Sequence, residues 1–227
     1  MPRTARVAPG GTVFHVLNRG NDRKTVFESD LDYLAFLRVM HKTQEEIPVR
    51  ILAWCLMPNH WHLVLWPRED GQLGDYMQRL TTTHVRRWRL FRRSVGLGHL
   101  YQGTYKSFPI QQDDHFYTVS RYVERNAKRA KLTKNAEDWR WGSLWAWLHG
   151  PELEDYPPIA TWPVPRPTSW KSLVNQAQSE SEETAVLTSI QRGRPFGSSV
   201  WQKRTAKALK LESTFRPRGR PRKSGHQ

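Results

Sequence analysis

The chain has 227 residues, enough for one domain with appendages around a single buried core. Lys and Arg number 36 against 21 Asp and Glu, for a net charge of +15 and a pI near 10.4, a balance that points to a polyanionic partner. The single cysteine, Cys55, excludes an intrachain disulfide or a Cys-based zinc site, and no run reaches the roughly 18 apolar residues of a membrane span. With no signal-peptide stretch at the N-terminus, a soluble, cytoplasmic, nucleoid-associated protein is expected. Thr12 to Asn18 alternates as a strand and runs into the turn-prone Arg19-Gly20-Asn21-Asp22. From Asp30 to about Glu46 the apolar residues fall at helical spacing, with Ser29 or Asp30 placed to cap. Val49 to Met57 and His60 to Trp66 are apolar runs around Pro58-Asn59 and predict a hairpin. A second helix is predicted from about Gly74 to Phe91, a strand within Tyr101 to Ile110, and a third helix from about Asp113 to Ala130.

This order predicts an α+β fold: a ferredoxin-like antiparallel sheet with helices on one face, an added helix, and an extended basic C-terminal region. The first domain is expected to span residues 1–150. Residues 151–190, with PRPTSW and SESEET, are expected to form a Pro/Ser/Glu-rich connecting segment, with Trp139, Trp141, Trp145, Trp147 and Trp162 folding back onto the domain. Residues 191–227 hold eleven Lys or Arg and one acid, Glu212. Within them a Gly-Arg-Pro core with Arg220 at its centre, flanked by Arg218 and Arg222, is suited to a narrow minor groove, while Val200 to Leu211 has helical spacing and is an alternative docking element.

Two patterns carry chemistry. In Pro58-Asn59-His60-Trp61-His62-Leu63, residues two apart share a strand face, so the imidazoles of His60 and His62 converge while Trp61 enters the opposite layer. Neutral imidazoles ligate divalent metals. In Ser120-Arg121-Tyr122-Val123-Glu124-Arg125-Asn126, a phenol and an amide four residues apart share a helix face. Taken alone, each pattern is matched by a bland reading, a hairpin edge or a packed tyrosine. Together they meet the needs of phosphodiester transfer: Tyr122 as nucleophile, His60, His62 and Asn126 as metal ligands, and cations for phosphate oxygens. The DNA-binding candidates are Arg19 on the first loop; Arg86, Arg87, Arg89, Arg92 and Arg93 in a stretch from His84 to Lys106 that has no acid; and Arg121, Arg125, Lys128 and Arg129 beside the tyrosine. Eleven tryptophans, several among basic residues, add surfaces on which bases stack. His15 has the character of a structural histidine.

The pieces FHVLNRGNDRKTVF, LMPNHWHLVLWP, TYKSFPI and RYVERNAKRAKL, in this order over residues 12 to 132, resemble the REP-associated tyrosine transposases, single-tyrosine members of the HUH endonuclease and transposase superfamily. The resemblance implies that His60 and His62 are the metal-binding histidines, Tyr122 the nucleophile and Asn126 the completing ligand. It also implies a single-stranded or hairpin DNA substrate that includes repetitive extragenic palindromes, cut through a 5′-phosphotyrosine intermediate by a monomer or homodimer. Mg²⁺ or Mn²⁺ is the expected metal, since nucleic-acid enzymes keep waters on their ions. One departure is visible: Ala127 and Lys128 follow Asn126 where the family often has proline, which puts the end of the helix in doubt. The alternatives are a non-catalytic DNA-binding protein that retains the fold, or a replication- or relaxase-type nickase.

Overall fold

The computed structural model of the chain describes residues 7–96, 98–150 and 154–216. Four strands, β1 (Val13–Arg19), β2 (Arg50–Met57), β3 (His60–Trp66) and β4 (Lys106–Ile110), form one antiparallel sheet in the order β2-β3-β1-β4. Helix α1 (Asp30–Glu46) joins β1 to β2, and α2 (Gln72–Phe91) joins β3 to β4. This is the expected ferredoxin-like topology. The start of α1 follows from its capping box: Asp32 Oδ2 accepts the Ser29 backbone N–H at 3.0 Å. Residues 101–105, predicted as the start of the last strand, are loop, held just beyond the end of β1 by the bridge between Gly20 and Tyr101.

Strand alternation divides the core into two layers. Trp61, Leu63 and Leu65 of β3 pack with Phe36, Met40, Tyr76 and Leu80 from α1 and α2. Val64 of β3 and Val13 of β1 enter the opposite layer, whose helices are α3 (Asp114–Glu124), α4 (Asn126–Arg129), α5 (Ser143–His149), α6 (Trp170–Asn175) and α7 (Glu180–Arg192).

Part of the expected connecting segment, residues 151–190, packs on the core, and Trp162 folds back onto the domain as expected. Trp162, Trp170, Val174 and Val186 are buried in the second layer with Phe116, Val119 and Tyr122. Composition misled here because SESEET is the capped first turn of α7, not a loop. Ser179 Oγ accepts the Glu182 N–H and Glu182 Oε2 accepts the Ser179 N–H, with Glu180, Glu182 and Glu183 at the helix's positive end. The helical spacing from Val200 to Leu211 corresponds to α8 (Ser199–Ala208), preceded by Ser198, whose N–H donates to Gln111 Oε1. Arg218, Arg220 and Arg222 lie outside the described residues.

The C-terminal half also lies along both sheet edges. On β2, Trp139 and Trp162 donate indole N–H groups to the carbonyls of Leu56 and Leu52, Ala160 N–H donates to Ile51 O, Leu56 N–H donates to Trp141 O, and Trp54 N–H donates to Ser143 Oγ. On β4, Phe196 bridges Ile110, donating its N–H to Pro109 O at 2.9 Å and accepting from Gln111 N–H at 2.9 Å. Its ring is buried beside Phe108 and His115. Phe196→Ala is therefore expected to lower folding stability by about 3 kcal/mol. Urea unfolding checks this, and a loss smaller than about 1 kcal/mol would mean that the edge contact is not part of the cooperative core.

Candidate active site

Register builds the site. His62 pairs with Leu17 of β1 and Cys55 of β2, and His60 pairs with Arg19 and Met57, so both imidazoles stand on the face turned away from α1 and α2. Their ring centroids are 5.1 Å apart. His60 Nδ1 is bonded to Asn59 Oδ1 at 2.6 Å and His62 Nδ1 to His15 Nε2 at 2.8 Å. Both Nδ1 atoms are thus engaged by neighbours, and it is the Nε2 atoms that are left to meet a ligand. Burial, with Arg19 and Arg129 adding to it, pulls His60 down to about 4. Burial first, then His15 and His60, holds His62 well below the ordinary imidazole value. Both rings are neutral, the form that ligates metals. Cys55 faces the same layer, but burial pushes its thiol up to about 12 and its Sγ contacts Met57 Sδ at 3.7 Å, so it is an inert core thiol.

The second half of the site comes from the helix. Tyr122 is 3 % exposed, its ring centroid 5.8 Å from that of His62. The Arg129 guanidinium lies 4.0 Å from the Tyr122 ring centroid and donates through Nη2 to Asn126 Oδ1 at 3.1 Å. Asn126 Nδ2 and Arg19 Nε are both buried without a hydrogen-bond partner. At the helix end that the missing proline put in doubt, the structure has a break at Arg125, with α3 ending at Glu124 and α4 starting at Asn126. Around the junction Arg125 N–H donates to Arg121 O and Ala130 N–H donates to Asn126 O, both 2.9 Å, and α4 is followed by Lys131 with φ 58°. His60, His62, Tyr122, Asn126, Arg129 and Arg19 are thereby brought to one side of the sheet. Among the described residues no three His, Cys, Asp or Glu side chains are placed to hold a metal.

The remaining basic candidates separate. Arg121 and Arg125 face Glu182 and Glu183 of α7 at 3.7 and 3.8 Å, and Lys128 donates to Asn175 Oδ1, so all three tie the C-terminal half to α3 and α4. Arg92 makes a bidentate pair with Asp32 at 2.7 and 3.0 Å, bracing α2 on α1. Arg89 donates to the carbonyls of Ser94 and Gly98. Arg86, Arg87 and Arg93 are exposed. All five stand on or just beyond α2, across the sheet from Tyr122. Sequence reasoning missed the partners of the histidines. His15 lies diagonal to His62, a relation that needs the strand register, and Asn59 was read only as a turn residue.

Trp61 anchors the His strand from the other layer. Its Nε1 donates to Tyr101 Oη at 3.0 Å, and that hydroxyl is 2.7 Å from His84 Nδ1. Burial pulls His84 down to about 3, keeping it neutral so that Nδ1 accepts the Tyr101 proton. The folded value is depressed, so nothing is lost above the ordinary value near 6.5. As pH falls, the unfolded chain takes a proton that the fold refuses. His84 should therefore cost about 1.4 kcal/mol of stability per pH unit from roughly pH 6 down towards pH 3. Urea unfolding at a series of pH values should show a shallower slope for His84→Gln than for the wild type; equal slopes would place the acid lability elsewhere.

Residues 11–126 match the family model described as "Transposase IS200 like", a span that includes His60, His62, Tyr122 and Asn126. The chain is similar to the REP-associated tyrosine transposase of Escherichia coli (strain K12), 24% identical over 134 residues that cover 57% of this chain and 74% of the relative. A solved REP-associated tyrosine transposase bound to a REP hairpin matches it with a TM-score of 0.50 at 18% identity, over 79% of this chain and 93% of that one. At that identity the structural match speaks for the fold. Among the described residues no helix is long and apolar enough to cross a membrane.

Proposed function

The chain belongs to the IS200-like transposase family, and from that premise we propose that it cuts and rejoins single-stranded DNA at REP-type hairpins, with Tyr122 as nucleophile. The reading rests above all on one observation: Tyr122 stands against His62 and Arg129, with Asn126 one turn on, on a single face of the sheet. Tyr122 Oη attacks a backbone phosphorus and the bond to the 3′ oxygen breaks. The 5′ phosphate stays on the tyrosine, and the proton lost by the phenol is matched by one gained at the departing 3′ oxygen. Attack by that hydroxyl, or by one from another strand, reverses the step and rejoins DNA.

His60 Nε2, His62 Nε2 and Asn126 Oδ1 are a donor set that fits a divalent cation, Mg²⁺ or Mn²⁺. The fit is supported by the neutral rings, by the engagement of both Nδ1 atoms, and by the second lone pair of an amide oxygen that gives one to Arg129. When bound, such an ion polarises the scissile phosphate. Arg129, and Arg19 with its unpartnered Nε, hold positive charge where phosphate oxygens would lie.

The test is incubation with end-labelled hairpin DNA from the chain's own genomic neighbourhood, in Mn²⁺, followed by a denaturing gel. The expected result is a protease-sensitive covalent adduct, formed poorly with fully duplex DNA. Tight binding with no adduct would leave a DNA-binding protein that has kept the fold without the chemistry.

A further inference from the structure

A cleft of about 880 Å³ lies on the far side of the sheet from Tyr122, between α2 and the 98–105 loop. Clefts that hold ligands run from roughly 300 to 1,000 Å³. Its floor is apolar, with Met77, Val85 and Leu100. Along one wall Gly74, Gln78, Thr82 and Arg86 follow at four-residue spacing, so a single stripe of α2 offers an amide, a hydroxyl and a guanidinium in a row. Gln78, Thr82 and Arg86 are exposed.

Charge identifies the class of occupant. Residues 76–112 contain seven Lys or Arg and no acid. Two of these cations are neutralised from α1, Arg79 by Glu46 and Arg92 by Asp32. Arg86, Arg87 and Arg93 are exposed and, among the described residues, have no acid partner. A surface meant for phosphates alone needs only such cations. An apolar trough edged by hydrogen-bonding side chains suits the face and the edge of a base as well.

Position connects the cleft to the cutting site. The loop wall is fastened to the end of β1, where Asn21 N–H donates to Leu100 O at 2.8 Å and Gln102 N–H donates to Arg19 O at 3.0 Å. Arg19 is the register partner of His60. The cleft and the His–Tyr face thus share this end of the sheet, on its two opposite sides.

We propose that the cleft between α2 and the 98–105 loop holds the bases of unpaired nucleotides adjoining the DNA segment engaged at Tyr122. The apolar floor covers base faces, and the Gln78–Thr82–Arg86 stripe meets base edges and phosphates. This rests on the single-strand DNA reading and adds to it where the flanking bases are held.

The experiment measures equilibrium binding by fluorescence anisotropy, using Tyr122→Phe protein so that nothing is cut. The probes are a fluorescein-labelled hairpin with a short single-stranded flank, and the same hairpin with an abasic flank of equal charge. The abasic probe is expected to bind about tenfold more weakly for each seated base. Thr82→Trp, which fills the cleft, should bring the ratio of the two affinities close to one. Gln78→Ala, at an exposed position that folding tolerates, should reduce the ratio without abolishing binding. Equal binding of both probes by the parent protein overturns the proposal, as does an undiminished ratio in folded Thr82→Trp or Gln78→Ala. Failure to bind any hairpin would overturn the single-strand reading as well. A ratio lost while adduct formation by the Tyr122-intact protein persists concerns the cleft alone.

Discussion

Tyr122→Phe is expected to reduce strand cleavage by on the order of 10⁴-fold or more while leaving the fold and hairpin binding nearly unchanged. The substitution removes one oxygen and keeps the ring that packs in the second layer. That ring stays 4.0 Å from the Arg129 guanidinium and against His62, so the contacts that seat α3 on the sheet survive. A stability change within about 1 kcal/mol should accompany the loss. A denaturing gel for the covalent adduct, run beside anisotropy on the same hairpin, separates chemistry from binding. An adduct forming at the wild-type rate in the phenylalanine variant would mean that another group attacks the phosphate.

Replacing His60 and His62 together by alanine should be nearly as damaging to cleavage, with a loss of roughly 10² to 10⁴-fold, and should also abolish metal binding. Binding of Mn²⁺, followed by electron paramagnetic resonance, reads the second effect without reference to activity. Removing the buried His62 ring also leaves His15 Nε2 without its 2.8 Å partner, so a stability loss of about 2 kcal/mol is expected. His15→Phe keeps the core filled, and its ring can still stack on Phe108, but it releases His62. It should weaken Mn²⁺ binding by about 10- to 100-fold, the usual effect of losing a ligand's orienting partner. Normal Mn²⁺ binding by the double alanine variant would show that the ion is held elsewhere.

What could be read from the sequence was what strand and helix periodicity dictate. Spacing of two put His60 and His62 on one face, and spacing of four put Tyr122 beside Asn126, because those relations are local. The partners of these groups are set by register and tertiary packing. Nothing local says that His15 reaches His62, or that Arg129, rather than Arg121 or Arg125, turns to the tyrosine. Arg121 and Arg125 looked equally suited to phosphate until α7 brought Glu182 and Glu183 to them. The C-terminal half was opaque for a related reason. Apart from the helical spacing of Val200 to Leu211, which became α8, its helices are short or, at SESEET, begin on a polar first turn, and its large side chains are buried against strands distant in sequence. Glu124 shows this most clearly. It lies between Tyr122 and Asn126 in sequence, yet its buried carboxylate accepts from Ser143 Oγ and from Trp170 Nε1, both at 2.6 Å. That arrangement ties α3 to α5 and α6.

The covering of both sheet edges by later parts of the chain has a consequence for biosynthesis. All four strands have been made once Ile110 leaves the ribosome, but the segments that satisfy β2 begin at Trp139 and the one that covers β4 arrives with Phe196. At translation rates of about 5–20 residues per second, the nascent sheet stays bare at one margin or both for several seconds. During that interval its unpaired amides and carbonyls are templates for strands of neighbouring chains. The interval ends only when Trp162 on β2 and Phe196 on β4 have seated. Expression of soluble protein should therefore depend on how promptly the last third of the chain docks, more than on the intrinsic stability of the sheet it covers.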